Sequence, residues 1–368
     1  MKMRPNYRVI DADGHVDEKA VNWAELLPER YRKDAPCWVT FPDGRKHLVV
    51  EGKLWPSRRD FYGQLGMWPE PHKPAHMWGW DREGMQDPHK RIPDMDQEGI
   101  DVAVLFGTFV GLGAAAAIED PGLAMAVAIA YNNWLANYCK SYPDRLKGIA
   151  VVPMQDPQAA RSEMRRAVER LGMVGVQALT NFGGKLLHEP QFDPLWEEAQ
   201  GLGVPICVHI ISTNSVGIDR FDRYVFKHAF YPLDAMLAAA SFVAGGILER
   251  YPKLKVAFME ASVGWVPWLM DRLHEHFELL PQQMPWQQRD PLEWLKSENC
   301  FYAVEPEETT IPFVAQMVGE ERLLYASDYS HWDCLCPDSV KLLHERTDLS
   351  DGLKRKIFGE NAARLFNL

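Results

Sequence analysis

The sequence lacks the marks of a secreted, membrane-spanning or nucleic-acid-binding protein. Its six cysteines are scattered and form no CxxC pair, which favours a reduced, cytoplasmic setting over a disulfide framework. We expect no apolar run long enough to span a bilayer and no hydrophobic segment of the signal-peptide type at the start. Acidic residues outnumber basic ones, 51 against 40, and the net charge of −11 argues against nucleic acid or an anionic membrane as a partner.

The chain also lacks repeats and low-complexity segments, and it shows instead an alternation of apolar strands and amphipathic helices. The predicted strands are residues 7–12, 100–108, 146–153, 174–180, 204–211, 254–260, 300–304 and 322–328. Buried strands that alternate with helices are typical of a parallel sheet. About eight such units in 368 residues predict a single α/β domain, residues 1–368, folded as a (β/α)8 TIM barrel. A dinucleotide-binding open sheet is disfavoured because no GxGxxG follows the first strand.

A long segment, about residues 22–90, separates the first strand from the rest of the predicted barrel. It contains two strand-like pieces, CWVTFP and KHLVVEG, and many aromatic residues, which argue for order. We predict that this insertion after strand 1 covers the barrel mouth as a lid. Arg58, Arg59 and Trp78 of the lid are predicted to bind an anionic, largely apolar substrate. His228, which precedes a later helix, is predicted to approach the same mouth.

Histidines and carboxylates occur where the predicted strands end. They are Asp13, His15, His209, Glu260, Asp328 and His331. In a barrel the C-terminal ends of the strands meet at one face, which carries the catalytic groups. Asp13 and His15 are two residues apart on an extended strand, so both point to the same side. Imidazole nitrogens and carboxylate oxygens are ligands for divalent ions, and this pattern predicts a metal site.

The predicted ligands are Asp13, His15, His209, Glu260 and Asp328. Asp328 and His331 are the predicted catalytic residues, as a proton shuttle and as a proton donor or substrate-orienting group. Asp11 and Glu18 are interpreted as carboxylates that bind loop backbone.

Seven segments spread almost from end to end carry a family resemblance. They are VIDADGHVDE, DMDQEGIDVAVLF, YNNWLANYCKSYPDRLKGIAVVPMQDP, FDPLWEEAQGLGVPICVH, GGILERYPKLKVAFMEASVGWVPWLMDRL, LLYASDYSHWD and GENAARLF. Together they resemble the amidohydrolase superfamily, in the group that includes aminocarboxymuconate semialdehyde decarboxylase and the resorcylate-type decarboxylases. The resemblance implies a metal-bearing barrel with ligands at its strand ends, and a homodimer.

Two positions depart from the pattern of that group. Asp13 stands where the strand-one motif usually has the first of two histidines, and Glu260 stands where a histidine often follows the sixth strand. Oxygen-rich ligation favours manganese or iron over zinc, in a site for one ion or for two.

Three classes of function follow from these observations. The first is a metal-dependent hydrolase or non-oxidative decarboxylase that acts on a carboxylated aromatic or bulky apolar small molecule. The second is a non-heme diiron oxygenase on the same barrel, which the carboxylates Asp13 and Glu260 would suit. The third is a binding protein on a scaffold that has lost catalysis, against which the retention of His15, His209, Asp328 and His331 argues.

Overall fold

The structure is a computed structural model, and it describes residues 5–42, 44, 46–55, 74, 76–79, 82–210 and 224–368. Eight parallel strands form one sheet that curls into a nearly closed barrel. In the order in which they neighbour one another they are β1 (Ile10–Val16), β5 (Val102–Gly107), β6 (Leu146–Ala150), β7 (Gly175–Leu179), β8 (Ile206–His209), β9 (Val256–Met259), β10 (Cys300–Val304) and β11 (Leu323–Tyr325). The predicted (β/α)8 barrel is therefore confirmed.

The barrel closes between its first and last strands just beyond the regular ladder. The amide of His15 donates to the carbonyl of Tyr329 at 2.8 Å, and the amide of Asp328 donates to the carbonyl of Asp13 at 2.9 Å. The backbone that closes the barrel thus also carries three of the predicted site residues.

Two apolar layers stabilise this arrangement. Ile10, Ala12 and Phe106 belong to a cluster that fills the barrel interior, whereas Val9 and Val16 belong to the larger cluster between the strands and the helices. Because side chains alternate across a strand, burial on both sides explains why these strands read as apolar runs.

Helices follow most of the barrel strands. They are α1 (Trp23–Leu26), α2 (Pro88–Glu98), α3 (Pro121–Lys140), α4 (Pro157–Leu171), α5 (Asp193–Leu202), α6 (Tyr224–Ala229), α7 (Pro232–Val243), α8 (Ile247–Arg250), α9 (Trp265–Leu279), α10 (Pro291–Leu295), α11 (Ile311–Val318), α12 (Ser339–His344), α13 (Asp351–Arg355) and α14 (Asn361–Phe366). A π-helical turn, Lys356–Glu360, joins the last two.

Local sequence sets where the long helices start and stop. Asp120 caps α3 by accepting from two backbone amides, and Asp156 does the same for α4 with one, each directly before a proline at the first helical position. Gly172 ends α4 in the left-handed conformation, with φ at 73°, which glycine adopts without a steric penalty.

The sequence predicts one helix over residues 233–252, and the structure corrects this. The helix breaks between α7 and α8, where Gly246 has φ at 77°. The stretch Pro232–Arg250 is also long and apolar enough to count as a candidate membrane span, so the expectation that no run has that length was wrong by length and composition alone. In this fold 56% of its 18-residue apolar window is buried inside the protein, and core helices of soluble proteins pass the same test of length and composition.

The described part of the insertion contains a small antiparallel sheet. Its strands are β2 (Cys37–Thr40), β3 (Lys46–Val50) and β4 (Lys53–Trp55), of which the first two were predicted. The turn between β3 and β4 is tied to the loop after β5, since the Glu51 carboxylate accepts from the backbone amides of Glu119 and Asp120 at 2.6 and 3.0 Å. The predicted cover over the mouth falls partly on residues outside the described ranges and stays a prediction.

Candidate metal centre

The structure brings six of the predicted site residues together at the C-terminal face of the barrel. They are Asp13, His15, His209, Glu260, Asp328 and His331. Ligand atoms of Asp13, His15 and His209 lie within 4.8 Å of one another. Ligand atoms of His15, Glu260, Asp328 and His331 form a second group with the same spacing, and His15 belongs to both groups. The six side chains therefore form one continuous cluster.

His15 and His209 are each held with Nε2 facing the cluster. Nδ1 of His15 lies 2.9 Å from the carbonyl oxygen of Gly107, and Nδ1 of His209 lies 2.9 Å from that of Ile210. A carbonyl oxygen only accepts, so in each neutral ring Nδ1 carries the proton and Nε2 presents a lone pair.

Those lone pairs face carboxylate oxygens, which are also acceptors. Nε2 of His15 lies 3.4 Å from Asp13 Oδ1 and 3.3 Å from Asp328 Oδ1. Nε2 of His209 lies 3.6 Å from Asp13 Oδ1 and 3.4 Å from Glu260 Oε2.

Among the residues that the structure describes, both Asp13 oxygens and the Nε2 atoms of His15 and His209 are buried without a hydrogen-bond partner. Asp328 Oδ1 lies 2.7 Å from Nδ1 of His331. Burying so many acceptors together is unfavourable unless a cation lies among them.

Glu260 and Asp328 have a left-handed backbone conformation and are more exposed than Asp13. Glu260 directly follows β9 and Asp328 follows β11 by three residues, and their φ angles are 47° and 49°. Few non-glycine residues adopt this left-handed conformation, which is found disproportionately at functional sites. Glu260 and Asp328 are 17% and 15% exposed, whereas Asp13 is 1% exposed, so the two former carboxylates face the mouth.

The charges of the cluster shift one another's pKa values. Burial alone would lower the pKa of His209, but the Asp13 and Glu260 carboxylates raise it to about 9. Burial alone would raise the pKa of Asp13, but His209 and His15 outweigh it and hold that pKa below its usual range. Burial raises the pKa of Glu260 to about 8. Without a metal ion the cluster therefore binds protons near neutral pH, and a metal ion would compete with those protons.

His331 lies between Asp328 and the loop after β5. Its Nδ1 is 2.7 Å from Asp328 Oδ1, and its Nε2 is 3.5 Å from the hydroxyl of Thr108. That hydroxyl donates to the carbonyl of Val16 at 2.9 Å, which fixes Thr108 against the end of β1. Burial, followed by the nearby His15, lowers the pKa of His331 well below its ordinary value.

Two acidic residues near the cluster bind the protein backbone. The Asp11 carboxylate accepts from the Ser327 amide at 2.9 Å and from its hydroxyl at 2.6 Å, and so ties β1 to the segment before Asp328. The Glu18 carboxylate accepts from the amides of Thr108, Phe109 and Gly111 at 2.9–3.2 Å. Both act as the backbone-binding carboxylates that the sequence favoured.

Sequence reasoning missed Thr108, Ser327 and Arg91. Arg91 is 1% exposed, donates to the carbonyl of His15 at 2.7 Å and lies 3.8 Å from the ring centre of Tyr329, so it fixes both ends of the barrel closure. The one available signal was position: Thr108 and Ser327 each occur at the C-terminal end of a predicted strand.

The predicted substrate-binding residues are less closely grouped. Arg58 and Arg59 lie outside the described residues. Trp78 is 8% exposed and packs against Tyr329, with 5.7 Å between ring centres. His228 lies beside the mouth, with Nε2 3.4 Å from Asp333 Oδ2. Their role in substrate binding stays a prediction.

Comparison with known proteins agrees with this arrangement. The sequence pattern of the family described as Amidohydrolase matches residues 10–368, and thus both the β1 ligands and the last strand. The chain belongs to the amidohydrolase family. The resemblance seen in the sequence is confirmed.

Individual members of the amidohydrolase family add detail. The chain is 27% identical over 334 residues to 2-amino-3-carboxymuconate-6-semialdehyde decarboxylase of Dictyostelium discoideum, covering 88% of this chain and 90% of the relative. An amidohydrolase of Mycobacterium avium subsp. paratuberculosis superposes with a TM-score of 0.81 at 24% identity, covering 98% of this chain and 100% of the other.

A third likeness is to 5-carboxyvanillate decarboxylase of Novosphingobium aromaticivorans, solved with manganese and 4-hydroxy-3-methoxy-5-nitrobenzoic acid. Its TM-score is 0.73 at 24% identity, covering 99% of this chain and 97% of the other. The two structural likenesses show the fold. The Dictyostelium discoideum relative is a decarboxylase, and the diiron oxygenase alternative finds no support among these relatives.

Proposed function

We propose that this amidohydrolase is a divalent-metal-dependent, non-oxidative decarboxylase of a carboxylated aromatic or bulky apolar small molecule. The decarboxylase relative covers most of the chain, and the manganese-bound neighbour shares its fold. The observation that carries the proposal is the cluster itself, in which Nε2 of His15 and Nε2 of His209 face carboxylate oxygens, so that either protons or a metal ion must lie between them.

The residues present fit a divalent ion. Asp13, His15, His209 and Asp328 would hold it, and Glu260 offers a further oxygen ligand. Three carboxylates beside two imidazoles form an oxygen-rich set, which favours manganese. When bound, the ion supplies Lewis-acid neutralisation of the substrate's carboxylate and of a neighbouring oxygen.

The protein's own residues would manage the proton. Decarboxylation breaks the bond between a carbon and its carboxylate, carbon dioxide leaves, and the carbon that keeps the electron pair takes up a proton. Asp328 faces the mouth and His331 Nδ1 lies 2.7 Å from its oxygen, so the pair is placed to hold that proton and deliver it. Thr108 and Asp11 would keep the pair in position from the protein side.

Metal analysis and carbon dioxide release test this proposal together. We expect about one manganese per chain after growth with added manganese, and release of carbon dioxide from at least one member of a panel of hydroxylated and methoxylated benzoates. Protein without a stoichiometric divalent ion, or metal-loaded protein that only cleaves esters or amides in a matched panel, would refute the decarboxylase assignment.

We propose further that the chain is a cytoplasmic homodimer and that residues 22–90 form a lid whose Arg58, Arg59 and Trp78, together with His228 outside the lid, contact the substrate. The reduced cysteines support the cytoplasmic compartment, since all six are free.

Sedimentation of the purified protein tests the dimer. Substitution of Arg58 and Arg59 by glutamine tests the lid, because loss of a substrate-binding cation should raise KM more than it lowers kcat.

A further inference from the structure

A cavity of about 640 Å³ lies at the barrel mouth, on the side away from β11. Its walls come from three separate parts of the chain. They are the end of the small sheet at Trp55, the loop after β5 at Ile118, and the end of β7 with the loop that follows, at Leu179 and Phe182. Its volume is in the range of pockets that hold small organic ligands.

This cavity begins next to the metal centre. Leu179 and His209 are register partners on the neighbouring strands β7 and β8. Register partners in a parallel pair lie about 5 Å apart and point to the same side of the sheet. The backbone of Leu179 therefore lies next to that of His209, so a residue that lines the cavity is the direct neighbour of a predicted metal ligand.

The lining favours an uncharged, ring-bearing group. Most of the wall is apolar, and the one lysine in it, Lys53, pairs with Glu119 at 2.6 Å. A second carboxylate on a substrate would thus find no uncommitted lysine or arginine among the described lining residues. Within the described part of the chain, the buried indole N–H of Trp55 has no hydrogen-bond partner, nor has Oε1 of Gln155 in the same wall, which leaves a donor and an acceptor for one polar substituent.

We propose that this cavity is the subsite for an apolar, ring-bearing substituent of the substrate, whose carboxylate lies at the metal centre. The inference rests on the proposed function, because that function places the carboxylate beside His209. It narrows the substrate to a monocarboxylate that extends from the reacting centre by a second ring or an apolar group of similar size.

Calorimetric binding to the manganese-loaded protein tests the subsite without requiring turnover. The probes are benzoate, biphenyl-3-carboxylate and biphenyl-4-carboxylate. We expect at least one biphenyl acid to bind about tenfold or more tightly than benzoate, because an apolar pocket discriminates by the apolar surface that it buries. Ala117 is exposed and lines the cavity, so Ala117→Trp should fill the space and remove most of this preference while leaving benzoate binding within about twofold.

Two further variants complete the test. Gln158→Trp places the same side chain on the exposed surface of α4 and should keep the preference, and Phe182→Ala should weaken biphenyl binding alone. Equal affinities for all three acids, or a preference that survives Ala117→Trp, would overturn the subsite. Failure of the proposed function is distinguished by carbon dioxide release, measured on the benzoate panel and on hydroxylated biphenyl carboxylates. A biphenyl preference that Ala117→Trp removes, in a protein that decarboxylates none of these acids, supports the subsite and refutes the decarboxylase.

Discussion

On the side of the barrel mouth formed by β1, β8, β9 and β11, imidazoles and carboxylates face one another, whereas on the side formed by β5 to β7 most of the wall is apolar. The two sides adjoin where His209 stands beside Leu179. The first side concentrates nitrogen and oxygen lone pairs, which protons or a metal ion can neutralise. The second side offers the apolar wall of the cavity, which a ligand can bury. The proposed chemistry and the proposed substrate choice thus belong to separate sides of this barrel, and changing one side at a time tests that separation.

The largest expected effect comes from Asp328→Asn on the polar side. The amide keeps the shape of the side chain but can neither hold the proton nor give the negative charge, so kcat should fall about a thousandfold or more. Circular dichroism should stay unchanged. Asp348→Asn, which alters an exposed carboxylate paired with Arg346 at 2.6 Å, serves as the matched control and should leave kcat unaffected. A near-normal rate for Asp328→Asn would remove Asp328 from the reaction.

His209→Ala should act on metal content before it acts on rate. Loss of a fully buried ligand nitrogen should lower the bound manganese to about a tenth or less at equal metal supply, since ligand geometry is set by few residues. His188→Ala removes a histidine that contacts Ser241 at 3.2 Å away from the cluster, and should keep the metal. Equal metal in both variants would exclude His209 from the ligand set.

Metal affinity should depend on pH in a direction set by the same cluster. With pKa values raised to about 9 for His209 and about 8 for Glu260, both groups hold protons at pH 7 in the metal-free protein. These protons compete with the ion, so manganese affinity should rise about tenfold per pH unit for each proton displaced, and level off above pH 9. Calorimetry in buffers of different ionisation enthalpy counts the protons released. Glu260→Gln should reduce that count by one, and a flat pH dependence would contradict the cluster's electrostatics.

The polar side was much easier to predict from the sequence than the apolar side. His209 and Asp328 could be located because parallel barrel strands end at one face, so a histidine and an aspartate at strand ends must meet. Arg91 could not, because nothing in its neighbourhood shows that a surface-type residue is 1% exposed beneath the barrel closure. The cavity could not either, since its walls at Trp55, Ile118 and Phe182 join only through tertiary packing.

The helix over residues 233–252 shows a different limit. Its apolar pattern continues through Gly245 and Gly246, and two glycines lower helix propensity without dictating a break. The helix stops where Gly246 adopts the left-handed conformation, and tertiary packing requires glycine there: a Cβ on Gly245 would meet the ring of His188 at 2.6 Å, and one on Gly246 would meet the indole of Trp286 at 2.5 Å. Contacts between residues so distant in sequence are not readable from local pattern.

The smallest expected effect concerns how the polar side is held in place. Ser327→Ala removes the 2.6 Å hydrogen bond to the Asp11 carboxylate and leaves that buried carboxylate with fewer donors, which should destabilise the fold by about 1–3 kcal/mol. Because Asp11 ties β1 to the segment before Asp328, kcat should fall only severalfold while metal content stays near wild type.

Thermal unfolding of the metal-loaded protein measures the loss of stability, and steady-state kinetics measure the change in kcat. Ser162→Ala removes a hydroxyl that donates to the carbonyl of Ala159 at an exposed position of α4, and should change neither. A Ser327→Ala variant as stable as the parent would show that Asp11 is held by the backbone amides alone, and that the polar side needs less support from β11 than the hydrogen bonds indicate.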